Sequence, residues 1–257
     1  MSIPRKQTGW SQESNLLWEI SNQLDKTLGF MCTGPCPPPP PTTTTTTTTA
    51  APGNVDIPAS PLFDITGDFT IEMFVNMSNL SGFPRPYSFG AYPAPNAMSI
   101  EGGQLYFWAN NAALINGAFE PNIGQWYHLC IIGSGSTAYM FIDGFNVASS
   151  PYGGSISSDG LPLTIGYGNE PSSYFNGLIS NFRWSNTAVY STGGFSVPTA
   201  PLAALASTVL LIFQGDTLPL ELTDNSGNGH NAVNTGATLS TLNPFVGESG
   251  SLQMGTV

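Results

Sequence analysis

The stretch CPPPPPTTTTTTTTAAPG, residues 36–53, divides the chain. Five consecutive prolines remove five backbone donors and hold φ near the polyproline II value, so neither a helix nor a central strand can form there. Eight threonines follow and offer almost no apolar surface to bury. By composition the stretch is a spacer. Its thirteen Pro and Thr residues would span roughly 40 Å at about 3.1 Å each in polyproline II. Four segments are expected: an N-terminal peptide (1–10), a helix (11–29), a Pro/Thr-rich linker (30–55) and one large domain (56–257). A remainder of that size suits a single all-β domain, a class that runs to about 200–250 residues.

Charge is sparse and uneven. Only 8% of the 257 residues are charged, against roughly 25% in an average domain. The cations are Arg5, Lys6, Lys26, Arg85 and Arg183, and the net charge is −11. Residues 1–35 balance three cations with Glu13, Glu19 and Asp25, so the remainder carries the whole excess. Without a basic patch, binding to nucleic acid or to anionic lipid is not expected, whereas neutral partners such as glycans remain open. No apolar run approaches the twenty or so residues of a membrane-spanning helix, so no membrane insertion is expected. The start, MSIPRKQTGW, lacks the apolar core of a secretory leader. The expectation is a protein made in the cytoplasm and either left there or carried out on a particle. Three cysteines are too few for a disulfide framework. Cys32 and Cys36 with no nearby histidine make a poor zinc site.

Residues 11–29 read as an amphipathic helix. Ser11 can cap its start, Glu13 suits the positive end of its dipole, and Gly29 can end it. Leu17, Ile20, Leu24 and Leu28 recur at spacings of three and four and form one apolar stripe. So short a helix needs a partner for that stripe. Self-association, most simply as a homotrimer, satisfies it. Pro4, Arg5, Lys6 and Trp10 are the expected anchoring contacts to a larger structure.

From Asp56 onward short apolar runs alternate with Gly, Pro, Asn and Ser. The expected strands are DFTIEMFVN (68–76), AMSIEGGQLYFWA (97–109, a hairpin about Gly-Gly), QWYHLCII (125–132), TAYMFIDGFNVAS (137–149), LPLTIGYG (161–168), YFNGLISNFRWS (174–185) and STVLLIFQ (207–214). Asp143-Gly144 between apolar runs marks a hairpin turn. Many short strands with turns between them mean a sandwich or a barrel.

The order FTIEMFV, QWYHLCIIGSGSTAYMFIDGFNV, LTIGYG, YFNGLISNFRWSNTAVY resembles the laminin-G-like jelly rolls of the concanavalin A-like lectin/glucanase superfamily. DNSGNGHNAV (224–233) is similar to a turn that opens many members and here closes the domain. The resemblance implies an antiparallel two-sheet jelly roll. The leader IPRKQTGWSQESNLLW, the Pro/Thr tract and the tail TAVYSTGGFSVPTAPLAALASTVLLIFQG resemble structural proteins of tailed bacteriophages. That implies a virion-surface subunit, a fibre or decoration protein of capsid or tail.

Catalysis is not expected. Glycan-cutting members carry clustered carboxylates on one strand, because two carboxyls must flank one glycosidic bond. Glu72 and Glu101 stand singly, as exposed strand positions. His128, inside WYHLC, is expected to be structural, and neither it nor His230 has a nucleophile and an orienting carboxylate close in sequence. A structural calcium would draw on Asp64, Asp68, Asp143, Asp216 and Asp224, but no ligand set emerges, and Asp143 and Asp224 read as turn residues. No cofactor or metal is therefore assigned. For glycan binding the loop PRPYSFGAYPAPN (84–96) offers Tyr87 and Tyr92 as exposed aromatic contacts, whereas Trp108 and Trp184 read as core. The expected role is display of a lectin-like domain on a stalk, for weak multivalent adhesion to host-surface polysaccharide. A secreted or cell-surface glycan-binding module and a purely structural capsid cement are the alternatives.

Overall fold

A computed structural model of the chain describes residues 53–245 and 251–255. The N-terminal peptide, the Leu17/Ile20/Leu24/Leu28 stripe, the Pro/Thr tract, Cys32 and Cys36 lie outside the described residues.

The described chain is built from strands β1 (Asn54–Ile57), β2 (Ile65–Thr66), β3 (Phe69–Asn79), β4 (Tyr87–Phe89), β5 (Asn96–Glu101), β6 (Gln104–Ala109), β7 (Ala112–Ala118), β8 (Trp126–Ser134), β9 (Thr137–Ile142) and β10 (Phe145–Pro151). There follow β11 (Ser155–Ile156), β12 (Leu163–Ile165), β13 (Asn176–Ser185), β14 (Thr208–Ile212), the short helix α1 (Leu218–Glu221), β15 (Val233–Thr235), β16 (Thr238–Ser240) and β17 (Ser251–Met254). Sheet A has the order β15-β1-β12-β4-β5-β6-β7. Sheet B has the order β10-β9-β8-β3-β13-β17-β16, with β14 also paired to β13. All pairings between these strands are antiparallel. The fold is an antiparallel two-sheet jelly-roll sandwich, as the family resemblance implies. Pairing begins with Asn54, before the expected boundary at 56, and Gly53 exchanges backbone hydrogen bonds with Gly255 at 3.0 and 2.9 Å.

Alternation places the core. On β3, Phe69, Ile71, Met73, Val75 and Met77 are fully buried between the sheets. Opposite them, Met98, Ile100, Leu105 and Phe107 enter from β5 and β6. Trp184 sits among Phe63, Tyr87 and Phe89, all edge-on to it at 5.7–6.0 Å, the arrangement that ring quadrupoles favour. The expected Asp143-Gly144 turn forms, with both residues at positive φ (50° and 77°), as a type I′ hairpin requires. Gly144 is required there twice over: a Cβ would come 2.1 Å from the carbonyl oxygen of Phe195. The DNSGNG turn closes on β14: Asp224 Oδ1 accepts from the N–H groups of Leu211 and Ser226, and Oδ2 from that of His230.

The two outer faces differ. Residues 186–205 run as a strap over the outside of sheet B. Leu202 packs with Phe74, Leu211 and Phe245, while Tyr190 and Phe195 pack on Cys130, Ile132 and Phe141. This overturns the exposed reading of Glu72. The strand does turn Glu72 away from the core, but the strap covers it completely. Its carboxylate takes Arg183 Nε and Nη2 at 2.8 and 2.5 Å on Oε1, and His128 Nε2 and Tyr190 Oη at 3.0 and 2.9 Å on Oε2. Burial pushes the Glu72 carboxyl up, but His128 and Arg183 together outweigh that and hold it below the usual carboxylate range. Arg183 Nη1 donates to the carbonyl of Ala203 at 2.8 Å, which ties the strap to β13. His128 is thus structural, as expected. Cys130, fully buried beneath the strap, is a free thiol whose pKa burial raises well above its ordinary value, so it is unreactive.

Candidate functional site

Among the described residues no such strap lies over β5 and β6 of sheet A, and its outer face holds a cleft of about 360 Å³. Strand alternation supplies the floor. With Ile100, Leu105 and Phe107 in the core, Ser99 and Glu101 of β5 and Tyr106 and Trp108 of β6 must point outward. The Gly102-Gly103 turn, at φ 57° and 75°, sets that register. Phe83 and Arg85 come from the segment before β4, Tyr92 from the loop before β5, and Glu170 from the loop after β12.

Trp108 is the centre of an aromatic strip. Its Nε1 donates to Ser99 Oγ at 3.0 Å, which fixes the indole plane. Tyr106 stacks beside it at 6.4 Å and 30°, and Tyr92 meets it edge-on at 5.3 Å and 82°. Tyr92 is 60% exposed. An exposed aromatic face held in place is an apolar platform with little entropy left to lose on binding.

The polar wall is an ion pair. Arg85 Nη2 lies 2.5 Å from Glu170 Oε1. Burial lowers the Arg85 pKa, while the charges of Glu170 and Glu101 work against that loss. Arg85 Nε and Nη1 are buried with no partner. The guanidinium stem packs against Gly168, where a Cβ would come 2.4 Å from Arg85 Cδ. Backbone bonds pin the same loop, from Phe83 N–H to the Ser172 carbonyl at 2.8 Å and from Arg85 N–H to the Ser173 carbonyl at 3.2 Å. At the base of that loop Tyr167 and Tyr174 stack face to face at 4.0 Å and 11°, both half-exposed.

The structure separates the two loop tyrosines. Tyr92 lies in the cleft as an exposed aromatic. Tyr87 does not: it is fully buried on β4, with its hydroxyl donating to Asn96 Oδ1 at 2.8 Å. The expectation of an exposed Tyr87 fails because YSF (Tyr87–Phe89) is a strand whose first residue points inward. Trp184 is core as read, but Trp108 is in the outward phase of β6. Sequence reasoning missed Arg85, Ser99, Tyr106 and Glu170. The signal for Tyr106 was present in QLYFWA, where two aromatics share the phase opposite Leu105 and Phe107. Nothing local in the sequence joins Arg85 to Glu170.

Among the described residues no three His, Cys, Asp or Glu side chains gather as metal ligands. The five aspartates considered for calcium are dispersed. Asp64 accepts from Ser157 and Ser158, Asp68 from the Gly135 N–H, and Asp143 from the His128 N–H.

A family model described as concanavalin A-like lectin/glucanases superfamily, of laminin G type, matches residues 49–192. Among solved structures, a protein from Bacteroides ovatus described as carbohydrate binding aligns with a TM-score of 0.55 at 16% identity, over 76% of this chain and 60% of that one. This chain therefore spans less than two thirds of that protein's length. A pentraxin from Limulus polyphemus aligns at TM-score 0.41 and 18% identity, over 56% of this chain and 74% of that one. Domains LG4-5 of the mouse laminin α1 chain align at 0.37 and 20%, over 58% and 48%. No curated protein matches the chain in sequence. The strand order, the sandwich and the family match over residues 49–192 agree: this chain belongs to the concanavalin A-like lectin/glucanase superfamily.

Proposed function

We propose that this chain is a non-enzymatic virion-surface subunit, a fibre or decoration protein of a phage capsid or tail, and that its lectin-like domain holds the particle to host-surface polysaccharide. The observation that carries the binding half is the open Tyr92–Trp108 platform beside the Arg85–Glu170 wall. The C–H faces of a pyranose ring stack on such aromatics, and its hydroxyls donate to carboxylates. The virion half rests on the resemblance of the leader and the Pro/Thr tract to phage structural proteins. In this reading Pro4, Arg5, Lys6 and Trp10 anchor the chain and the Leu17/Ile20/Leu24/Leu28 stripe trimerises it. Weak domains on stalks then gain by avidity.

Antibody against residues 56–257, used to label purified particles in the electron microscope, tests the virion half. Regular decoration of head or tail supports it; antigen confined to soluble fractions overturns it in favour of a secreted module. One observation favours a second reading: Glu101 and Glu170 both line the cleft, so a hydrolase is the competitor. Release of reducing ends from bound polysaccharide, abolished by Glu101→Gln, would replace adhesion with cleavage.

A further inference from the structure

Arg85 and Arg183 are the only Lys or Arg residues between Cys36 and Val257. Each is 4% exposed and already paired, Arg85 with Glu170 and Arg183 with Glu72. Among the described residues the surface of the domain therefore presents carboxylates and no lysine or arginine cation. The cleft repeats this locally, with Glu101 and Glu170 against one guanidinium that Glu170 already holds. A uronate or sulfated sugar entering it would meet like charge, and the two unpartnered Arg85 nitrogens are buried out of its reach.

A second aromatic pair lies outside that cleft lining. Trp108 and Tyr92 line the cleft with the Arg85–Glu170 pair, and Tyr106 stacks beside Trp108. The stacked Tyr167–Tyr174 pair stands at the base of the loop that carries Glu170 itself. Glu170 follows Tyr167 by three residues in that loop. A rigid two-ring stack, half-exposed and joined to the cleft by a pinned loop, is a second platform of the same chemistry.

We infer that the cleft takes an internal stretch of a neutral polysaccharide, laid from the Trp108 platform past Glu170 to the Tyr167–Tyr174 stack, and rejects anionic glycans. This rests on the glycan-binding reading above. The ligand is recognised by uncharged pyranose rings that stack at two places and by hydroxyls that donate to Glu101 and Glu170. A chain end is not needed.

The experiment is affinity electrophoresis of the full chain in gels containing glucans, mannans, galactans or xylans on one side, and alginate, pectate, carrageenan or dextran sulfate on the other. The best binder is then titrated calorimetrically as an oligosaccharide ladder. The expected result is retardation by a neutral polymer, with anionic polymers weaker by about tenfold or more. Affinity should rise by about tenfold from disaccharide to pentasaccharide as the second platform is reached. Tyr174→Ala should flatten that rise with length, Tyr174→Phe should keep it, and Trp108→Ala should remove binding at every length. An unchanged melting temperature in each variant excludes misfolding as the cause. Equal or tighter binding of an anionic polymer, or affinity independent of length, overturns the inference and leaves the glycan-binding reading standing. Failure of every polymer to retard the wild type more than Trp108→Ala overturns both.

Discussion

Glu221 closes α1 with its side chain fully buried. Burial, with help from the charge of Asp216 and against the pull of the Gly215 N–H, pushes its pKa up to about 8 from an ordinary 4.5. A carboxyl raised in this way is protonated in the folded chain while its unfolded counterpart is ionised. Its contribution to stability is therefore complete below about 4.5 and is lost as pH rises through about 8. Between pH 5 and pH 7.5 the unfolded group releases nearly a full proton that the folded group keeps. At 1.36 kcal/mol per pH unit this amounts to about 3 kcal/mol, brought toward 2 by the solvent that reaches the neighbouring loop. Glu221→Gln keeps the shape and removes the titration. Urea unfolding of both proteins at pH 5, 6, 7 and 7.5 is the assay. The wild type should lose roughly 2–3 kcal/mol across the series while the variant stays nearly flat and becomes the more stable protein at the alkaline end. Parallel curves would refute the reasoning, since they would mean that the Glu221 carboxylate is ionised and well solvated in the folded state.

On the acid side the sign reverses. Glu72 and Asp64 are both held below the usual carboxylate range, so the stability they contribute is present above about 4.5 and is lost as pH falls through their folded values; Glu72→Gln should shallow the acid limb of a melting-temperature profile. Arg183→Met leaves Glu72 buried without its main partner and should cost about 3–5 kcal/mol in chemical unfolding, far more than an exposed ion pair would. Gly168→Ala drives a Cβ into Arg85 and should weaken glycan retardation with a stability loss of about 1–3 kcal/mol. Tyr92→Ala should weaken glycan binding without moving the melting temperature, whereas Tyr87→Ala should lower that temperature by way of about 3–5 kcal/mol of lost core packing.

Period-2 alternation fixed which side of β3 faces the core, with Phe69, Ile71, Met73 and Val75 inward and Thr70, Glu72 and Asn76 outward; β8 and β9, apolar on both faces, carry no such signal. Gly102-Gly103 and Asp143-Gly144 announced their turns because positive φ is a local demand that few residues meet. Those local rules carried the sandwich and, with the order of the motifs, the family. They also placed Glu72 and Trp108 on their strands. They could not say what lay over them. Glu72 became a buried ion-pair centre because residues 186–205, more than a hundred positions away, fold across sheet B. Trp108 stayed partly open because, among the described residues, no such strap crosses sheet A above β6. Arg85 met Glu170 only when the loop after β12 folded back to the segment before β4. What faces in is written in the alternation of neighbouring residues; what covers the outward face depends on contacts between distant segments, and that only the tertiary structure decided.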